Sequence, residues 1–221
     1  MAFFEELQTQ TEPARQSLYQ IPILRAGVSG QINLDIYLAF LTQAYHHVKH
    51  TVPLLMACGS RLPEHLYWMQ QPITQYIEEE KGHEQWILND IKACGSDAEA
   101  VRIGQASLAT EVMVAYAYDS IARKNPICFF GMVYVLEGTS TTLATQGADN
   151  IQKNLNLPAD AFSYLSSHGA IDIEHMSFFE KLMNRLEAEA DKKAVIHCAN
   201  IMYTLYGNIF RTIGQQYGIT Q

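Results

Sequence analysis

The chain has 221 residues, of which 48% are hydrophobic and 17% charged, and 15 basic against 23 acidic residues give a net charge of -8. An acidic balance without a basic stripe argues against nucleic acid or an anionic membrane surface as partner and leaves a small neutral or cationic ligand open. The length suits one substantial core and no linker-like run interrupts it, so residues 1–221 are read as a single helical domain.

Phe3 to Tyr19 carries Phe3, Phe4, Leu7, Ala14 and Leu18 on one side with Pro13 interrupting, which predicts a short amphipathic helix. Ile21 to Gly30, punctuated by Pro22, Gly27 and Gly30, reads as a connection, and Asn33 as the N-cap of the next helix. That helix, Leu34 to Cys58, has apolar residues at helical spacing and an expected kink at Pro53. It holds His46, His47 and His50, which read first as surface or hydrogen-bonded core residues. Three histidines within five positions cannot all face one site, although one can line a channel.

His65 to Ala93 is predicted as one helical segment bent at Pro72, with QYIEEEKGHEQWILNDI at its centre. Glu80 and His83 are three apart, Glu79 and His83 four apart, so either carboxylate can share a metal with that imidazole. Asp97 is placed to cap a short helix, Leu108 to Arg123 predicts another, and Asn125-Pro126 starts the next. From Pro126 to Asn154 the chain is apolar almost all round for ten residues, marking a central helix, and Glu137 closes that run. A carboxylate there needs a partner, a proton or a metal.

Pro158 to Ser166 reads as a short helix or turn, His168 to Ala190 as a helix, and Lys193 to Tyr217 as the last one. In SHGAIDIEHMSF, His168, Asp172 and His175 fall at i, i+4 and i+7 on one helical face, neighbours spaced by roughly 5–6 Å. No stretch alternates like a strand, so the expected class is all-α.

Glu80 (or Glu79), His83, Glu137, His168, Asp172 and His175 thus form one candidate ligand set for two metals. The mixture of carboxylates and imidazoles favours iron or manganese over zinc, magnesium or calcium. Cys58, Cys94, Cys128 and Cys198 form no CxxC pair and read as reduced, buried thiols. No basic and apolar leader opens the chain and no apolar run approaches the ~20 residues of a membrane span, which makes a soluble cytoplasmic protein the expectation.

The YHHVKHTVPLL and EEEKGHEQWILNDI segments, VLEG, and the spacing His168-x3-Asp172-x2-His175 resemble the heme-oxygenase-like diiron oxidases and oxygenases. These belong to the superfamily of heme oxygenase, thiaminase II (TenA) and pyrroloquinoline quinone synthase. The resemblance implies a seven-helix, heme-oxygenase-like bundle. It also implies two labile iron ions that activate dioxygen, as co-substrate, to oxidise a small molecule such as an amino-acid or fatty-acid derivative. His83, Glu137, His168, Asp172 and His175 match the family's ligands, with Glu137 bridging and an apolar wall of Phe129, Phe130, Val133 and Tyr134 excluding water. The first carboxylate does not match uniquely, because some members place it where this chain has Tyr76 and others where it has Glu80.

Heme is disfavoured because residues 1–30 contain no histidine to serve as its proximal ligand. A metal-free TenA-like hydrolase of a thiamine-pyrimidine type of substrate, or a ligand carrier, is the alternative. For it Cys128 is in the right region, but Lys193 to Tyr217 supplies no acid. A ferritin-like bundle would want a second strict Glu-x-x-His pair. Homodimer formation stays open.

Overall fold

The computed structural model describes residues 2–220, excepting the side chains of residues 168–174. Among the described residues every regular element is helical. The expected all-α class holds, with more helical segments than seven because several long helices are broken.

Helix α1, Phe3–Tyr19, runs uninterrupted through Pro13 and buries Phe3, Phe4, Leu7 and Leu18. The predicted connection after it contains a helix instead, α2, Pro22–Val28. Proline at its first position lacks only an N–H that would have gone unbonded there, and its fixed φ is already helical. The glycines that suggested a loop act at its end, where Gly30 turns with φ +72°.

Asn33 caps α3, Leu34–Val48, by accepting from the Ile36 amide at 3.0 Å. The predicted helix to Cys58 breaks at Lys49 and His50, and α4 covers Thr51–Gly59. The break precedes Pro53 by one turn, because the proline cannot bond the Lys49 carbonyl four residues earlier and its ring crowds that oxygen.

The segment predicted from His65 to Ala93 is likewise divided. A 3-10 turn over Glu64–Met69 leads into α5, Gln70–Glu80, with Pro72 in its first turn rather than at a bend. Gly82, at φ +96°, then separates α5 from α6, His83–Ala93. Only glycine takes such a φ without strain, and it lets the chain change direction between two candidate ligands. Asp97 caps α7, Ala98–Ile103, as expected, and α8 spans Leu108–Arg123.

A 3-10 turn, Pro126–Cys128, opens α9, Phe129–Leu155, in which every residue from Phe129 to Val135 is buried. The Pro126–Leu155 run is long and apolar enough to cross a membrane, against the expectation that none would be, but two-thirds of its most apolar window lies inside the fold. Two further helices, α10 over Ser163–Met183 and α11 over Glu189–Gln216, pack along it. Gly131 permits the approach of α11, since a Cβ there would lie 2.5 Å from the Val195 carbonyl oxygen and 2.7 Å from the Ala199 nitrogen.

The start of α10 comes five residues before His168, and its cap is supplied by another helix. Phe162 has no side chain able to cap, and fully buried Asp90 of α6 accepts from the Ser163 amide at 3.0 Å, the Tyr164 amide at 2.9 Å and the Ser163 hydroxyl. Burial pushes the Asp90 carboxyl above its ordinary value, and the bonds to Ser163 and Tyr164 pull against it. Asp90→Asn leaves one acceptor oxygen for these donors and turns an NH2 toward the others. It should cost about 1–3 kcal/mol, visible as a lower denaturant midpoint at unchanged m-value; an unchanged midpoint would refute the cap.

Candidate metal centre

Four helices deliver the central side chains. Glu80 is the last residue of α5, His83 the first of α6, Glu137 lies on α9 and His175 on α10. One ligand atom each from Glu80, Glu137 and His175 lies within 4.8 Å of the others. His175 Nδ1 is 3.6 Å from Glu137 Oε1 and 3.8 Å from Glu80 Oε1. His83 Nδ1 meets Glu80 Oε2 at 3.0 Å. The sequence spacing of Glu80 and His83 predicted this encounter on a single helix; the pair instead meets across the Gly82 break.

Glu79, the alternative first carboxylate, faces the other edge of His175, with Oε2 3.1 Å from Nε2. It is not among the converging atoms. Glu80 and Glu79 thus separate by position, one toward Glu137 and one toward the outer nitrogen of the same imidazole. Tyr76, the third residue considered for that place, sets its ring edge-on to His175 at 5.8 Å. His168 and Asp172 lie outside the described residues.

The donor set fits iron. Glu80, Glu137, His83 and His175 are all largely buried, and these carboxylates and imidazoles pair with one another. Two ionised carboxylates at this separation repel by about 3 kcal/mol at an effective dielectric of about 20. A cation relieves that repulsion, and mixed oxygen and imidazole donors suit iron or manganese.

Glu80 and Glu137 also line a cavity of about 170 Å³ bounded mainly by apolar side chains of α2, α3, α9 and α11, among them Ile23, Phe40, Leu143 and Phe210. Half of the expected wall belongs to it. Phe129 and Val133 line the cavity on the helical stripe that ends in Glu137. Phe130 and Tyr134 point elsewhere, Phe130 edge-on to Tyr76 at 6.0 Å and Tyr134 accepting from Arg15 at 2.9 Å. A residue one step along a helix is turned by about 100°, and the apolar character of the whole run hid that difference.

Of the three neighbouring histidines, His47 lines the cavity, edge-on to Tyr206 at 5.9 Å. His46 Nδ1 lies 3.1 Å from the Lys49 ammonium and His50 Nδ1 3.2 Å from the Tyr118 hydroxyl. Burial, then Lys49, lowers the proton affinity of both His46 and His50. Cys128 is not among the residues that line the cavity and bonds the Cys198 thiol, which lowers the Cys128 pKa and raises that of Cys198. Cys58 gives its thiol to the Pro126 carbonyl at 3.2 Å and is pushed up to about 12 by burial.

A family model described as an iron-containing redox enzyme matches residues 38–207. No curated protein matches the sequence. Among solved structures, a domain of unknown function with a heme oxygenase-like fold from Shewanella denitrificans superposes with a TM-score of 0.86 at 23% identity, over 97% of this chain and 93% of that one. A TenA homologue from Pseudomonas syringae gives 0.78 at 10% identity, over 97% and 93%. Heme oxygenase-2 from Synechocystis, solved with heme and NO, gives 0.76 at 13%, over 98% and 86%. At these identities the likeness is one of fold.

Proposed function

Because the chain belongs to the family of iron-containing redox enzymes, we propose that it is a cytoplasmic non-heme dimetal oxidase or oxygenase, with two iron ions and dioxygen as co-substrate. The observation that carries the reading is the convergence of Glu80, Glu137 and His175 at the wall of an apolar cavity. His83 adjoins Glu80; His168 and Asp172, the further ligands that the sequence resemblance implies, lie outside the described residues. Heme has no part in it. Bound iron supplies the electrons that activate dioxygen.

The protein's own contributions follow from the geometry. Glu137, the carboxylate that α9 brings toward both Glu80 and His175, would be the ligand shared by the metals. Glu79 holds the Nε2 proton of His175, which leaves Nδ1 free of a proton and directed inward, the arrangement by which outer carboxylates fix a ligand's tautomer and orientation. The cavity seats the substrate and keeps water from the reacting atoms. Among the described residues its lining contains no lysine or arginine, which favours a fatty-acid derivative over an amino-acid derivative; a carboxylate head would lie at the metals.

Glu79→Ala should weaken ferrous binding about 10–100-fold, the usual cost of removing such an outer partner. Equal affinity in an anaerobic titration would reduce the Glu79–His175 pair to a surface contact. The reading as a whole is tested by anaerobic ferrous titration of the chelator-treated protein followed by an oxygen pulse. About two irons per chain, as two-metal carboxylate sites hold, and a transient in the visible spectrum are expected. No uptake by a folded protein would refute it. The metal-free TenA-like hydrolase predicts chelator resistance and sensitivity to Cys128 substitution, and Cys128, although next to Phe129, is not among the residues that line the cavity, which weighs against it.

A further inference from the structure

His83 is stacked on Trp86, with ring centroids 4.1 Å apart and planes inclined by 27°. The two sides of this stack meet different surroundings. The His83 side chain is 4% exposed and sits against Glu80, whereas the Trp86 ring is only half-buried. The side chains of Glu80, Glu137 and His175 are 6–10% exposed, so a reductant in solution has no broad face of the cluster to touch, and the apolar cavity does not admit a charged donor readily. Trp86 presents an aromatic surface that is partly open to solvent and stacks on His83, the imidazole beside Glu80.

We propose that Trp86 is the electron-entry site of the metal centre, taking electrons from a small one-electron donor in solution and passing them through the His83 ring. This rests on the dimetal reading above. Each step is a simple transfer: the donor loses one electron, one ferric ion becomes ferrous, and no bond forms or breaks. Two such steps return a diferric centre to the state that meets dioxygen. Indole is suited to the task because its π system is the largest of the side chains, and its stack with His83 gives the near-contact overlap through which an electron tunnels from donor to metal with no change in the oxidation state of either ring.

The molecule contains its own control. Trp68 is the second tryptophan, and its ring lies under the Arg185 guanidinium at 4.1 Å, a site of another kind. Both indoles are partly buried, but Trp86 is the one stacked on a candidate ligand.

The test uses the full chain loaded with ferric iron and reduced anaerobically by the methyl viologen radical cation, followed by stopped-flow absorbance. Trp86→Leu should slow reduction markedly, Trp86→Phe less, and Trp68→Phe not at all, while ferrous affinity, iron content and melting temperature stay near wild type. In the Trp68→Phe protein, ferrous iron should also quench the emission of the remaining indole before any oxygen is admitted. Wild-type reduction rates in a Trp86→Leu protein with full iron content overturn the proposal and leave the dimetal reading standing. Failure of every variant and of the parent chain to take up iron overturns both.

Discussion

Glu137→Ala should abolish iron binding and oxygen consumption while the far-ultraviolet dichroism of the bundle is retained. The carboxylate is buried in α9 and faces both Glu80 and His175, so its loss removes the group proposed to touch both metals, and a water that takes its place brings no charge to balance them. The helix itself loses little, because alanine is the best helix former and the surrounding turns are anchored by apolar contacts. Folding stability without metal should change little, since relief of the crowding between Glu80 and Glu137 is set against loss of the Glu137–His175 contact. A variant as stable as the parent and wholly inactive is the signature of a group kept for chemistry. Iron content measured by atomic absorption, oxygen uptake and a melting curve together decide the matter, and turnover at the wild-type rate would rule out a bridging Glu137.

Gly131→Ala should be among the most damaging single changes in the chain. The added methyl carbon would stand 2.5 Å from the Val195 carbonyl oxygen and 2.7 Å from the Ala199 nitrogen. Both are backbone atoms of α11 and cannot rotate away as a side chain would. Relief requires α9 and α11 to part, disturbing the close approach of Gly131 to Val195, Cys198 and Ala199. Overpacking a core usually costs about 1–3 kcal/mol and occasionally more, and a clash against backbone on two sides belongs at the top of that range. Chemical denaturation of the metal-free protein measures it without interference from the site. A loss under 1 kcal/mol, small on the scale of typical mutational effects, would mean that the two helices are less tightly joined than the close approach implies.

Much of this was open to reading in the sequence. Helical periodicity marks α3, α8, α9 and α11 because each has a wide apolar face, and Asn33 and Asp97 cap as their residue types predict. Glu137 stood out because a carboxylate at the end of a fully apolar run has few ways to be tolerated. What escaped were features set by three dimensions. Glycine in Lys81-Gly82 gave a hint of the break between Glu80 and His83, but the three-residue spacing is equally at home on an unbroken helix. Glu79 and Glu80 could not be told apart, because the direction of α5 at its end decides which of them faces α9. The His83–Trp86 stack is an i, i+3 pair of rings whose contact depends on rotamers. The capping of α10 by Asp90 spans more than seventy positions, and no local pattern announces it.

That last contact carries a further constraint on how this chain can vary in length. Helix α6 has commitments at both ends: His83 abuts Glu80 where the helix begins, and seven residues on, two turns along the same face, Asp90 grips the start of α10. A residue inserted or deleted between them would swing one end by about 100° about the helix axis relative to the other. No compensating shift of the whole helix would restore both contacts at once. The stretch from His83 to Asp90 must therefore keep its residue count, whatever the identities of the side chains on its outer face.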